Sequence, residues 1–382
     1  MPMTNETSLP ISRADSYAPD ATQAIGELDA ALAFSKSALT VFFCDPSYDL
    51  DAMTAEINQR AQGSPVISCS SAGEIGSKGY QKQSVAGFSL SKDEFHVAVE
   101  SFENIREFSA DQASQIVEKA KANLQSQGLT LEDNKCFALL LVDGLSAAEE
   151  PLTYKLQDAL KEIPLVGGSA GDGLNFGKTH TFCDGSFKSD VAALAIIHTN
   201  RPWEVFKEQH ISPTDAKLVV TESDPDNRVI IEFNGEPAAE ELARVIGTSG
   251  PEALSSGVLA EHPLMLKMGG TWFIRSAHSV IEDNCLKLFC AIEEGLVLSV
   301  GKTEDLPGSL DKTLSEIKSR IGDVKLTIAC DCILRRLELE ATEKVEEASC
   351  VLSKYNPVGF STYGEQYGTV HVNQTLTGIV IG

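Results

Sequence analysis

Residues 65–76 read Pro-Val-Ile-Ser-Cys-Ser-Ser-Ala-Gly-Glu-Ile-Gly, and the chain returns to this pattern at Pro164-Leu-Val-Gly-Gly-Ser-Ala-Gly-Asp and at Pro357-Val-Gly-Phe-Ser-Thr-Tyr-Gly-Glu-Gln-Tyr-Gly. An apolar run precedes each loop (41–43, 137–142, 326–332) and another follows it (85–90, 191–197, 377–381). Placing Gly73 over Gly364 also places Gly87 over Gly378 without a gap. Placing Ser71-Ala72-Gly73 over Ser169-Ala170-Gly171 places Phe43 over Leu141, with an insertion around 178–185 in the second copy. A chance match of short loops would not keep its flanks in register. The period is longer than that of solenoid repeats and the copies are too few for an array. The pattern therefore predicts a pseudo-symmetric α+β fold of three β-α-β-loop-β units.

Local patterning supports the units. Leu50, Met53 and Ile57 share one helical face, as do Leu152, Leu156, Leu160 and Ile163 in the second copy and Val345, Ala348 and Leu352 in the third. A different block separates the second and third copies. It holds the apolar run 229–233, Asn234 as a helix N-cap, a helix with Leu242, Val245 and Ile246 closed by Gly247, and strand-like runs at 272–276, 285–291 and 296–300. A helix with Leu310, Leu314, Ile317 and Ile321 follows. The turn cluster Asp224-Pro225-Asp226 sets the expected boundary. The expected division is a disordered tail over 1–20, one domain over 21–228 and a second over 229–382.

The net charge of −24, with a sequence pI near 4.6, argues against nucleic acid and anionic lipid as partners. Residues 1–20 lack the basic and apolar regions of a signal peptide, and no apolar run approaches the roughly 20 residues a membrane span needs. A cytoplasmic location is expected. Nine cysteines without a secretory signal read as reduced thiols packed as small apolar residues. Cys330-x-Cys332 lacks the spacing of a zinc knuckle, which leaves a core pair or a redox pair.

The segments Ser70-Ser-Ala-Gly-Glu-Ile, Val166-Gly-Gly-Ser-Ala-Gly-Asp-Gly, Glu232-Phe-Asn-Gly-Glu-Pro-Ala, Arg275-Ser276 on to Val300, and Phe360-Ser-Thr-Tyr-Gly-Glu, in this order, resemble the FIST sensory family. The resemblance spans about 38–230 for its amino-terminal part and 232–374 for its carboxy-terminal part. It implies an intracellular input domain that binds a small ligand and signals to a kinase, cyclase or chemotaxis protein. No transmitter, receiver or cyclase segment is recognisable, so output through a separate protein is expected. Through Leu259-Ala-Glu-His-Pro-Leu-Met and the run from Phe289, the chain is most similar to the stand-alone bacterial nitric-oxide-sensing haemoproteins of that family. That similarity implies non-covalent haem, and a sensor histidine kinase or a diguanylate cyclase or phosphodiesterase as partner.

A haem gas sensor holds iron on one protein ligand, usually a neutral imidazole, with the other face open. Of seven histidines, His262 sits between Glu261 and Pro263 among Leu259, Leu264, Met265, Leu266 and Met268, and is the expected iron ligand. His96, His198 and His371 lie in strand-like runs and read as structural. Arg275, in an apolar strand, must meet a carboxylate, a carbonyl or an acidic ligand such as a haem propionate or an amino-acid carboxylate. Arg335 and Arg336 are lesser candidates for the same role, with internal salt bridges as the alternative for all three arginines. The loops themselves, with Ser71, Gly73, Glu74, Ser169, Gly171, Asp172, Tyr363, Gly364 and Glu365, form a candidate ligand nest at strand ends. The acids there could equally tie down their own turns. A small carboxylate such as an amino acid is the alternative ligand. Gly167-Gly-Ser169-Ala-Gly171 matches a hydrolase nucleophile elbow, but a poor helix start follows it.

Overall fold

Long apolar runs with little alternation read as strands buried on both faces, and in the computed structural model, which describes residues 9–382, they are. The fold is α+β, and each of three units supplies its own strands and helices. Unit 1 has strands Ile11–Ser16, Ser37–Cys44, Val66–Ser70 and Val85–Ser91, a short hairpin of Glu74–Gly76 and Gly79–Tyr80, and helices Ala21–Leu32 and Leu50–Ala61. Unit 2 repeats this with Phe95–Glu103, Cys136–Val142, Leu165–Ser169 and Val191–Thr199, the hairpin Thr181–Cys183 and Ser186–Lys188, and helices Ala110–Ser126 and Glu149–Leu160. Unit 3 has Trp203–Glu208, Leu326–Cys332, Pro357–Thr362 and Leu376–Ile381, the hairpin Glu365–Tyr367 and Val370–Val372, helix Leu306–Ile321, and the pair Ile333–Ala341 and Val345–Ser353.

In each unit the second and third strands pair in parallel and the last runs antiparallel between the first and second. The hairpins are exchanged in a cycle. The hairpin of unit 1 extends the sheet of unit 3 (Ile75↔Gly359), that of unit 2 extends unit 1 (Thr181↔Cys69), and that of unit 3 extends unit 2 (Glu365↔Gly168). The inner faces of the three sheets share one core, with Leu39, Val41 and Phe43 meeting Phe137, Leu139, Leu141, Leu326, Ile328 and Cys330. Phe43 stacks on Phe360 across it, ring centroids 4.3 Å apart. Helices cover the outer faces, several of them started by side-chain caps at Asp20, Asp49, Ser109 and Asp305.

The strand ends meet on a pseudo-three-fold axis. The amides of Ala72, Gly171 and Tyr363 donate to the carbonyls of Ser361, Ser70 and Ser169, while the amides of Ser361, Ser70 and Ser169 donate to the carbonyls of Gly73, His180 and Gly364. Gly73 and Gly364 are therefore equivalent. Gly171 matches Ala72 and Tyr363 instead, one residue from its expected register, and His180 takes the place of the two glycines. Strands Val66–Ser70 and Leu165–Ser169 end at equivalent serines, so the glycine of unit 2 stands one residue nearer its strand, and the extra loop 172–179 follows it. Gly171 is required there because a Cβ would lie 2.8 Å from the Ala72 nitrogen.

Two further expectations change. Ile11–Ser16 is not a tail but an edge strand, with Ile11 opposite Leu90 and Ser16 opposite Val85; its polar alternation suits an edge, and 1–8 lie outside the described residues. No boundary falls at 228. Ile211–Asp224 already belongs to the separating block, and Asp224-Pro225-Asp226 is a hairpin turn onto Val229–Phe233. That block is an insertion within unit 3, an eight-stranded sheet covered by helices Ala238–Ile246 and Ser256–Glu261. It closes where Ile211 pairs with Thr303 and the Glu304 amide bonds the His210 carbonyl. Gly247 ends the first of these helices at φ +80°, as expected. Asn234 does not cap it. Asn234 sits in the preceding turn at φ 56°, where its amide receives the Val219 N–H and donates to Glu241.

Candidate functional site

The insertion leans over units 2 and 3 and leaves a cleft of about 330 Å³. Leu145 and Glu149 of unit 2, Tyr363 and His371 of unit 3, and Arg228 and Phe289 of the insertion line it. Its loop wall is set by Asp172, whose carboxylate accepts the amides of Phe176, Gly177 and Lys178 and the Tyr363 hydroxyl. Burial pushes the Asp172 carboxyl up, but these donors outweigh it and hold it below its ordinary value. Phe176 is thereby held at φ 49°, half-exposed, with its ring stacked 4.6 Å from Tyr363. A non-glycine residue in the left-handed region carries a modest strain, here set by the turn around Asp172.

Two ion pairs join the insertion to the start of helix Glu149–Leu160. Arg228 reaches Glu149 at 3.3 Å and also donates to the carbonyls of Phe289 and Ala147. Arg275 reaches Glu150 at 3.2 Å, and the second Glu150 oxygen accepts the Ala291 amide. No side chain caps this helix, so its first-turn carboxylates are further favoured by the helix dipole. Burial raises Glu149 and Arg228 opposes the rise.

His371 lies beneath the arginines. Burial, then Arg228 and Arg275, push its imidazole down to about 3, so it is neutral at physiological pH. Its Nδ1 lies 3.3 Å from the Gln366 Nε2, which also donates to Ser169 Oγ at 2.9 Å. Nδ1 is thus the acceptor and the proton rests on Nε2, a tautomer assigned from these bonds. Beside it Asn373 is 1% exposed, and both its amide atoms, the Gln366 Oε1 and the Arg275 Nε have no partner. A buried polar group left unpaired costs about 1–3 kcal/mol. Four such atoms lie buried behind the cleft wall, where a polar partner would relieve that cost.

The structure divides the loop residues expected to bind ligand. Tyr363, Asp172, Gly364 and Ser169 gather at or just under the cleft. Gly171 lies on the axis. Ser71 and Gly73 line a separate cleft with Lys82 and Arg336. Glu74 and Glu365 are fully buried and accept only from their own unit: Glu74 from Ser71 and Ser84, Glu365 from Thr362 and Thr375. Ser169 is buried on the axis with no base in contact, and a loop, not a helix, follows it. Arg335 is buried against Glu208 and Asp331, and Arg336 bonds Glu340 and the Gln81 carbonyl. Cys330 and Cys332 are buried free thiols, pushed far up by burial. No group of three or more His, Cys, Asp or Glu suited to a metal occurs among the described residues.

Burial pushes Glu74 up to about 7 and Glu365 up to about 8, against the lowering effect of their hydroxyl donors. Both bind a proton more tightly in the folded chain than in the unfolded one. The stability this contributes is complete below about 4.5 and is lost as pH rises through about 7 and then about 8. The melting temperature of Glu365→Gln should therefore fall less than that of the wild type between about pH 5 and pH 8.5. Parallel melting curves in calorimetry would refute the assignment.

His262 ends helix Ser256–Glu261, its amide bonded to the Val258 carbonyl at 3.1 Å, and does not line the cleft. Leu259, Leu264 and Leu266 are packed in the insertion core, Met265 packs with Ile211 and Ile274, and Met268 is turned to solvent. The neighbouring Ala260 and Glu261 line a separate cavity of about 300 Å³ with Leu334, Leu337 and Ala341, which His262 itself does not line, and Arg275 is committed to Glu150.

Sequence reasoning singled out Arg275 but missed Arg228, Glu149, Glu150, His371 and Asn373. Charges in a turn or a first helical turn look ordinary, and only the position of Arg228 beside the Asp-Pro-Asp cluster offered a signal.

The chain matches the family model described as the FIST N domain over residues 38–236 and that described as the FIST C domain over 238–368. No curated protein matches it. Among solved structures it is similar to one titled "Structure of PurLQS from Thermotoga maritima", at 11% identity over 97% of this chain and 72% of that chain. The TM-score is 0.18, too low to carry an argument. No helix of the described residues is long and apolar enough to cross a membrane.

Proposed function

The chain belongs to the FIST family, whose domains are small-ligand sensory modules of signalling proteins rather than catalysts, and from that premise we propose that its ligand is a small carboxylate of the amino-acid class bound in the insertion cleft. One observation carries this reading: Arg228 and the neutral His371, from separate segments, line the cleft, and Arg275 and the unpaired Asn373 amide lie buried behind them. Guanidinium groups suit a carboxylate, and the carboxylates of Glu149 and Glu150 beside them suit an ammonium group. A ligand there touches both sides of the insertion interface, so binding shifts the insertion against units 2 and 3. That shift is the signal read by a partner histidine kinase or cyclic-dinucleotide enzyme.

Haem-dependent nitric oxide sensing has less support, because the expected ligand His262 lines neither the insertion cleft nor the apolar cavity beside it. The two readings separate in one screen. Thermal melting with each common amino acid and dicarboxylate should show a stabilising compound, whereas added haem should give no stoichiometric Soret band. A Soret band with no response to any carboxylate would overturn the proposal.

A further inference from the structure

Three lysines stand beside Trp272 and Phe273, which alternate to opposite faces of Thr271–Arg275 at the edge of the insertion sheet. Lys207 Nζ lies 4.5 Å from the Phe273 ring centroid, and Lys217 and Lys267 lie 5.1 and 5.4 Å from that of Trp272. Their polar contacts are neutral: Lys207 with the Trp272 carbonyl and Gln209, and Lys217 with the Ser299 hydroxyl. None of the three makes an ion pair among the described residues, while Lys82, Lys119, Lys188, Lys325, Lys344 and Lys354 all do. No acid among the described residues comes within ion-pair distance of these three cations, although the chain carries 31 basic and 55 acidic side chains. Burial alone pushes Lys207 down to about 8, with no acid to oppose it.

Cation–π attraction explains why each ammonium sits near a ring. It does not explain two on one ring, where they repel each other within about a Debye length. An incoming anion relieves that repulsion. Lys217 and Lys267 are exposed, Trp272 is half-buried, and Ile211, Met265 and Ile274 form an apolar floor beneath. The Trp272 face of the patch spreads over strands Ile211–Asp224, Leu264–Met268 and Thr271–Arg275, the last being an edge of its sheet. That breadth suits an extended chain better than a small molecule. An anionic bilayer would also meet the rest of a surface whose net charge is −24, whereas a short acidic segment meets only the patch.

We propose that this lysine and tryptophan patch docks an acidic segment of a partner protein. The proposal is independent of what occupies the insertion cleft.

The test is fluorescence anisotropy of a labelled decapeptide of alternating glutamate and alanine at about 50 mM salt, where screening is modest. Lys217→Glu with Lys267→Glu should weaken binding by roughly tenfold or more, whereas Lys36→Glu with Lys312→Glu, an equal change of net charge at exposed sites elsewhere, should change it by less than about twofold. Equal losses in the two double variants would reduce the effect to net charge and overturn the proposal. So would absence of peptide binding by the wild type. Binding of the wild type to vesicles of equal phosphatidylcholine and phosphatidylserine, without peptide binding, would assign the patch to a membrane and equally overturn it.

Discussion

Arg335→Met is expected to be the most destabilising single change considered, at about 3–5 kcal/mol, because it leaves buried carboxylates without their cation. The Arg335 guanidinium is fully buried; it lies 2.5 Å from Glu208 and 2.7 Å from Asp331, and donates to His210 Nδ1 at 2.9 Å. His210 in turn faces Glu338, and the Tyr80 hydroxyl donates to Asp331 at 2.7 Å. Burial pushes the Asp331 carboxyl up and Arg335 pulls it back, so without the arginine the acid must take up a proton or unfold its surroundings. At roughly 2–4 °C per kcal/mol, calorimetry should show a melting temperature lower by about ten degrees. Arg335→Lys should restore little of it, since an ammonium cannot span several acceptors as the planar guanidinium does. A loss below about 1 kcal/mol would mean that Tyr80 and solvent satisfy these acids unaided.

The second large effect is on binding. Arg228→Gln with Arg275→Gln removes the guanidinium that lines the cleft beside Lys287 and the one behind it, while keeping a hydrogen-bonding side chain at each position. A hydrogen bond to a charged group is worth about 1.5–3 kcal/mol, so the pair should lower affinity for a stabilising carboxylate by roughly a hundredfold or more. The fold is expected to tolerate the change better than the loss of Arg335, because Glu150 keeps the Ala291 amide and some solvent and Glu149 stands at a helix N-terminus. Titration calorimetry on the folded double variant checks this, and unchanged affinity would move the ligand elsewhere.

The three units were legible because each carries its polar loop at the end of a fully apolar strand, a contrast few positions can mimic. The hairpin exchange was not. It pairs Glu74 with Phe360 and Thr181 with Cys69, and nothing in the local pattern of a two- or three-residue strand records its distant partner. The register of Gly171 was misplaced for a related reason, since the shared Ser-Ala-Gly string aligns Ser169 with Ser71 while the two strands end at Ser169 and Ser70. Ile11–Ser16 looked like tail because an edge strand exposed to water is polar.

At the site, Arg275 stood out because a cation in an apolar strand demands an explanation. His371 did not, since a histidine in a strand is ordinarily structural, and what sets it apart is the pair of arginines brought over it by a separate part of the chain. His262 drew attention through leucines and methionines that serve the insertion core. An apolar neighbourhood in sequence does not distinguish packed from open surface.

Hydrogen exchange measured by mass spectrometry, with and without the carboxylate that gives the largest thermal stabilisation, tests the central claim most directly. The account predicts slower exchange in the segments around 172–178, 226–230, 287–291 and 370–374, which enclose the insertion cleft from its separate sides. Protection confined to residues 256–268 around His262, with those four segments unchanged, would contradict it.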